Sequence, residues 1–242
     1  MSLYILLSLI FLAASFTQGL TGFGFGLLAI PLLTLLIDIK IAIPLCSLQG
    51  LLITGFLSLR LKRHIDHRKI LPLLLGCLPG IAVGVIFLKK APTWLLGTAL
   101  GWLLIAYSLF WLCFRPRPVG MHRLWAYVAG FGTGAISSAF SAGGPPAIIY
   151  TTLTGWSKDD VKATLSGFFL ACGLFIVAAH AASGLTTITV LRYFGISAPA
   201  VILGMVAGST LYDRVDTENY LRLLLCVLLG MGILLLRTAS GG

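Results

Sequence analysis

Thr17-Gln18-Gly19-Leu20-Thr21-Gly22-Phe23-Gly24-Phe25-Gly26-Leu27 and Ser137-Ser138-Ala139-Phe140-Ser141-Ala142-Gly143-Gly144-Pro145-Pro146-Ala147 are two interrupted apolar segments, one in each half of the chain. A shift of 120 positions lays Thr17 on Ser137, Gln18 on Ser138, Thr21 on Ser141 and Gly24 on Gly144. Polar side chains and glycines thus recur in step inside stretches that otherwise have the apolarity of lipid-spanning helix. In a membrane protein built of two related halves, a matched pair of Gly/Pro-broken segments points to a substrate site.

Composition places the chain in a membrane. Of its 242 residues, 58% are hydrophobic and 10% charged, against about 25% charged in soluble domains, and the mean hydropathy is +1.03. The net charge of +10 does not imply nucleic acid as a partner, which requires a continuous basic face. Most Lys and Arg lie in short connections, as the positive-inside bias requires. Cys46, Cys77, Cys113, Cys172 and Cys226 lie inside or at the ends of apolar runs. No C-x-x-C pair and no His at ligand spacing accompany them, so neither zinc nor a disulfide framework is indicated. They read as small hydrophobes. The first seventeen residues lack a basic leader and continue into further apolar sequence, which reads as an uncleaved first helix.

The apolar segments are 2–17, 23–37, 41–59, 70–88, 93–114, 124–141, 145–154, 161–181, 195–211 and 219–236. The expected fold is an all-α polytopic membrane protein of two repeats, 1–118 and 119–242, joined at Arg115-Pro116-Arg117-Pro118. Each repeat is a broken hairpin (2–37; 124–154) followed by three spans. Leu48-Gln49-Gly50 resembles Leu165-Ser166-Gly167. Gly80-x-x-x-Gly84 resembles Gly204-x-x-x-Gly208, with Pro79 and Pro199 just upstream, and both read as faces where helices approach closely. The basic clusters at 60–69 and 115–123 are two spans apart, hence on one side, which the charge rule makes cytoplasmic. Lys89 and Lys90 then violate the rule mildly. If each hairpin returns to its own side, three net crossings invert the second repeat relative to the first. If the hairpins cross fully, ten spans result, and both versions stay open.

The breaks suit an anion. Gly143-Gly144 interrupts the helix and Pro145-Pro146 favours the first turn of a new one, which exposes unpaired N–H groups at the positive end of a helix dipole. Ser137, Ser138 and Ser141 add hydroxyls. Thr17, Gln18 and Thr21 repeat the design beside Gly22 and Gly24, with a helix starting near Phe23 or Gly24. Gln49 and Ser166 hold matched positions in intact helices and either line the same cavity or hydrogen-bond between helices. The expectation is an anion held between the two hairpins. No carboxylates converge there for calcium.

His180 lies within a span, either as a proton relay or at a helix end beside Ser183-Gly184. Asp213 and Arg214 are a candidate gate pair, and the other carboxylates read as interfacial. Trp94, Trp102, Trp111, Trp125 and Trp156 sit mostly near span ends, as an aromatic belt does. His180 is the one histidine read within a span, no H-E-x-x-H occurs and no carboxylate pair sits in a span, so the chain is read as no enzyme, without cofactor or metal.

At these residues the chain resembles the TauE/SafE, or sulfite exporter, family. The resemblance rests on Gly19-Leu20-Thr21-Gly22-Phe23-Gly24-Phe25-Gly26 with Pro31, and on Ser141-Ala142-Gly143-Gly144-Pro145-Pro146 with Tyr150. It extends over the whole chain in length, span pattern and duplicated halves. The resemblance implies export of sulfite or a small organosulfonate such as sulfoacetate across the bacterial inner membrane, driven by a proton or ion gradient. A passive anion channel, or an importer of another oxyanion such as thiosulfate, is the alternative. Partners are a small sulfur anion and membrane lipid, with a homodimer left open.

Overall fold

A computed structural model of the protein describes residues 2–61, 66–114, 119–211 and 217–240. The 115–118 joint, part of the first basic loop and the Asp213–Arg214 pair lie outside the described residues. Among the described residues there are ten helices and no strand: α1 (Ser2–Thr21), α2 (Phe25–Leu33), α3 (Ile39–Leu61), α4 (His67–Lys90), α5 (Thr93–Cys113), α6 (Trp125–Phe140), α7 (Gly144–Leu153), α8 (Lys158–Ala182), α9 (Ile188–Thr210) and α10 (Thr217–Ser240). Seven of them, α1, α3, α4, α5, α8, α9 and α10, are long and apolar enough to cross a membrane. Their outer faces carry large apolar side chains, such as Leu71 and Ile86 on α4 and Leu203 on α9, each more than half exposed. A soluble monomer rarely shows so much apolar surface, and here it is the lipid-facing surface.

The ten helices follow the ten apolar segments, with two instructive displacements. The first helix does not stop at 17. It continues through Gln18 and Gly19 to Thr21, the last turn closed by the Gly22 N–H on the Gln18 carbonyl at 2.8 Å, while Thr17 and Thr21 return their hydroxyls to the carbonyls of Ala13 (2.9 Å) and Thr17 (2.8 Å). The interruption shrinks to Gly22–Gly24. The ninth helix begins at Ile188 rather than 195. Thr187 caps it, its hydroxyl accepting from the Val190 N–H, and Arg192 lies over the Tyr4 ring at 5.8 Å, so a cation inside the first turns is accommodated.

The helices gather into two compact units, Met1–Cys46 with Lys90–Arg115 and Thr187–Gly242, and Ser47–Lys89 with Pro116–Thr186. Each unit therefore draws helices from both sides of the 115–118 joint. In the first, α1 packs along α9 and α2, and α10 packs against α5 and α2. Gly204 and Gly208 of α9 lie against the Leu12 and Phe16 carbonyls of α1, and Gly19 of α1 lies against the Met205 carbonyl. In the second, Gly76, Gly80 and Gly84 of α4 lie against the carbonyls of Tyr127, Phe131 and Ala135 on α6, while Gly130 and Gly134 of α6 meet those of Leu73 and Cys77. Backbones this close leave no room for a Cβ, and in lipid such contact substitutes for the missing hydrophobic drive between helices.

The cysteines are free, Cys113 and Cys226 being exposed and the other three buried. Cys77 and Cys172 are nevertheless neighbours, their sulfurs 2.9 Å apart between α4 and α8, a proximity that linear spacing did not reveal. In a protein whose exposed Cys113 and Cys226 are replaced by alanine, oxidation with copper phenanthroline is expected to remove two titratable thiols per chain as a Cys77–Cys172 disulfide forms, the electrons passing to copper. Cys77→Ala is expected to abolish that loss, as counted by alkylation and mass. An unchanged thiol count in the protein that keeps Cys77 contradicts this α4–α8 packing.

Helices α2 and α7 are too short to cross a membrane. At 1.5 Å per residue, the nine residues of α2 and ten of α7 reach about 14 and 15 Å, half of the roughly 30 Å hydrocarbon core. Each hairpin thus pairs a longer limb with a half-length one.

Candidate functional site: two broken hairpins

In the first unit the break is a tight polar turn. The Gly22 N–H donates to the Gln18 carbonyl at 2.8 Å, with Gly22 at φ 83° and Gly24 at φ 97°, a backbone that favours glycine. The Thr21 hydroxyl oxygen lies 2.7 Å from the Phe23 carbonyl and accepts from the Phe23 N–H at 3.3 Å. Gln18 reaches across the turn, where its side-chain oxygen accepts from the Phe25 N–H, the first of α2, at 3.2 Å. Thr17 is fully buried and accepts from the Tyr220 hydroxyl of α10 at 2.7 Å. Phe11 stacks on Phe25 with ring centroids 5.8 Å apart. Thr17, Thr21 and the Gln18 carbonyl are thereby engaged in holding the turn. What remains at the break is the Gln18 amide NH₂ and the N–H groups of α2 that follow Phe25.

In the second unit the break has a different donor set. Helix α6 ends on Ser141, whose N–H donates to the Ser137 carbonyl at 2.7 Å. Ser141 sits at φ 49°, the one non-glycine with positive φ among the described residues. Its hydroxyl is 2.7 Å from that of Ser47 on α3. Gly143 presses on α6: a Cβ there would collide with Ser137 Oγ and the Thr133 carbonyl. Gly144 is open, a Cβ meeting only the flexible Ile148 Cδ1 at 3.3 Å. Helix α7 then begins with Pro145 and Pro146 in its first positions. Prolines have no N–H, and the next one, of Ala147, is taken by Thr133 Oγ1 at 3.1 Å. The α7 start can therefore offer an anion the Gly143 and Gly144 N–H groups, with the Ser137 and Ser141 hydroxyls alongside. Pro145 is buried and contributes by fixing where the helix starts, not by donating.

Ser138, also a predicted ligand, is fully buried. Its hydroxyl donates back into α6 at the Gly134 carbonyl, 2.8 Å away, and lies 3.1 Å from the Ile81 carbonyl of α4. Its own carbonyl lies 2.8 Å from His180 Nε2. His180 is in the last turn of α8, as the helix-end reading has it, and is buried rather than solvated. It fastens the end of α6 to α8. Gln49 is buried on α3 and Ser166 half-buried on α8, both in the unit that holds the second break.

Two residues escaped the sequence reading. Thr133 does for α7 what Gln18 does for α2, a first-limb side chain accepting an N–H from the start of the second limb. Its signal was weak, a lone hydroxyl among Gly130, Gly132 and Gly134. Ser47 stands two residues before Gln49 and is the α3 hydroxyl that reaches the break. The stray Lys89 also has an explanation: its Nζ donates to the Ser183 carbonyl at 3.0 Å, complementing the negative end of α8.

A polytopic membrane protein with two helix breaks of this kind has the build of a transporter. The chain belongs to the sulfite exporter TauE/SafE family, whose sequence profile matches residues 7–235. It is also similar to the probable sulfite/organosulfonate exporter TauE of Cupriavidus necator, with 24% identity over 244 residues that cover 94% of this chain and 91% of the relative. No solved structure matches it. The protein is therefore a transporter rather than an enzyme, a multi-pass protein of the bacterial inner membrane.

Proposed function

We propose that the protein exports sulfite or a related small sulfur oxyanion or organosulfonate as a secondary transporter, driven by the proton or ion gradient, with the broken hairpins as its binding elements. The observation that carries this reading is the start of α7. Two successive glycine N–H groups stand at the positive end of a helix dipole, with the following two donors removed by proline and hydroxyls on the flank. Such a set, with N–H donors and no carboxylate among the named groups, suits a compact anion with several oxygens. The α2 start supplies a second set of donors, shaped by Gln18. Repeats 1–118 and 119–242 of inverted topology would give the two breaks equivalent roles. The named activity of the Cupriavidus relative, sulfite/organosulfonate export, agrees with this chemistry.

Gly144→Val is the direct test. Apart from its chain neighbours its Cβ meets only a movable side-chain end, so the fold is expected to survive at the cost of some strain before Pro145, whereas the branched side chain covers the two N–H groups. Sulfite efflux from cells is expected to fall at least tenfold at equal amounts of folded protein. Parental efflux in this variant would remove the α7 start from the site.

A further inference from the structure

The second unit holds a cavity of about 390 Å³ lined by Arg68, Lys69, Arg123, Tyr150, Thr154 and Trp156, with Pro72, Gly120 and Met121 completing the wall. We propose that it binds a sulfonate- or phosphate-headed anion carrying an organic body, on the side where such an anion is loaded.

Among the described residues the lining carries three cations and no carboxylate. Lys69 is balanced in part by Asp160, 3.2 Å away, and lies over the Trp156 ring at 4.9 Å. The guanidinium groups of Arg68 and Arg123 meet no carboxylate among the described lining residues and suit oxygens of a sulfonate or phosphate. Arg68 and Lys69 are carried on the first turn of α4, whose start is capped by Asp66, the carboxylate Oδ1 accepting from the Arg68 N–H at 2.9 Å. The frame is fixed: the N–H groups of Val119 and Gly120 both donate to the Leu153 carbonyl, at 3.0 and 3.1 Å, and Arg123 Nη2 reaches the Arg68 carbonyl at 3.4 Å. Trp156 meets Tyr150 edge-on at 5.9 Å. Together with Pro72 and Met121 they form an apolar wall. Bare sulfite would leave most of this volume to water, since a water takes about 30 Å³, whereas an organic body fills it. The basic clusters place this end of the unit on the cytoplasmic side by the charge rule, where an exporter collects its cargo. Loading depends on the transport reading above, but binding does not. A free organosulfonate and the headgroup of an anionic phospholipid share the required chemistry.

The test uses purified full-length protein in phosphatidylcholine nanodiscs, comparing the parent with Arg123→Gln and Arg68→Gln. Sulfoacetate bound per chain is counted by equilibrium dialysis, and phosphatidylglycerol retained from doped nanodiscs is counted by native mass spectrometry. Loss of one bound sulfoacetate per chain in either folded variant, with lipid retention unchanged, assigns the cavity to a soluble anion. Loss of a retained phosphatidylglycerol, with sulfoacetate unchanged, assigns it to lipid. Parental binding of both ligands in both variants, or binding of neither to the parent, overturns the proposal. Absent sulfite flux with these ligands still bound would instead sink the transport reading and leave this site standing.

Discussion

Ser141→Gly is expected to leave the melting temperature within about 4 °C of the parent while lowering sulfite transport at least tenfold. Two terms of similar size oppose each other in stability. A non-glycine residue at positive φ costs on the order of 1–2 kcal/mol, which glycine relieves. The bond between the Ser141 and Ser47 hydroxyls, 2.7 Å long, is worth about 1 kcal/mol, which glycine forfeits. With stability nearly cancelled, transport by this variant isolates the proposed role of the Ser141 hydroxyl at the mouth of the break. Ser141→Ala keeps the strain and loses the hydroxyl, so it is expected to lose transport and about 1 kcal/mol as well. Transport at the parental rate in Ser141→Gly, measured on protein that melts normally, would reduce Ser141 to a helix terminator.

Glycine-to-alanine changes are expected to have opposite signs at Gly80 and Gly97. Nothing lies within 4 Å of a Cβ at Gly97 on α5, so alanine there gains about 0.5–1 kcal/mol from backbone entropy. At Gly80 the same methyl would drive into the Phe131 carbonyl, with the Ala135 nitrogen 3.0 Å away. Both are backbone atoms that no rotamer change can move, so α4 and α6 must part. Overpacking of this kind costs about 1–3 kcal/mol, and leucine costs more. The loss should spread, because α6 carries Ser138, which meets α4 and α8, and Thr133, which holds the start of α7. Thermal unfolding in detergent is the readout. A Gly80→Ala protein as stable as Gly97→Ala would contradict the packing described for the second unit.

Much of this was legible in the sequence because lipid imposes simple rules. Backbone groups in the hydrocarbon must be satisfied internally, so apolar length predicts helix, and the ten segments become ten helices. A Gly-Gly-Pro-Pro run can break a helix in few ways, and α7 starts within a residue of where it was expected. The Gly-x-x-x-Gly pairs were legible as close-packing faces, although not which helices they meet. That depends on contacts across the 115–118 joint, between α4 and α6 and between α1 and α9, on which local sequence is silent. The candidate ligands divided for the same reason. A threonine or serine in an apolar helix can face a ligand or return its hydroxyl to its own backbone, and composition does not distinguish the two. Thr17, Thr21 and Ser138 took the second course. Gln18 turned inward with its oxygen to cap α2, while Thr133, unremarkable in sequence, capped α7. Only three-dimensional proximity could disclose Ser47 beside Ser141 or Cys77 beside Cys172.

The most direct test of the central claim is flux in proteoliposomes of the purified protein, with sulfite and sulfoacetate supplied in turn, with and without a pH gradient. The account predicts saturable flux of at least one of them that rises with the gradient and is lost in Gly144→Val. Absence of flux for either anion under both conditions, from protein that remains folded, would contradict it, and flux that neither saturates nor responds to the gradient would make the protein a channel instead.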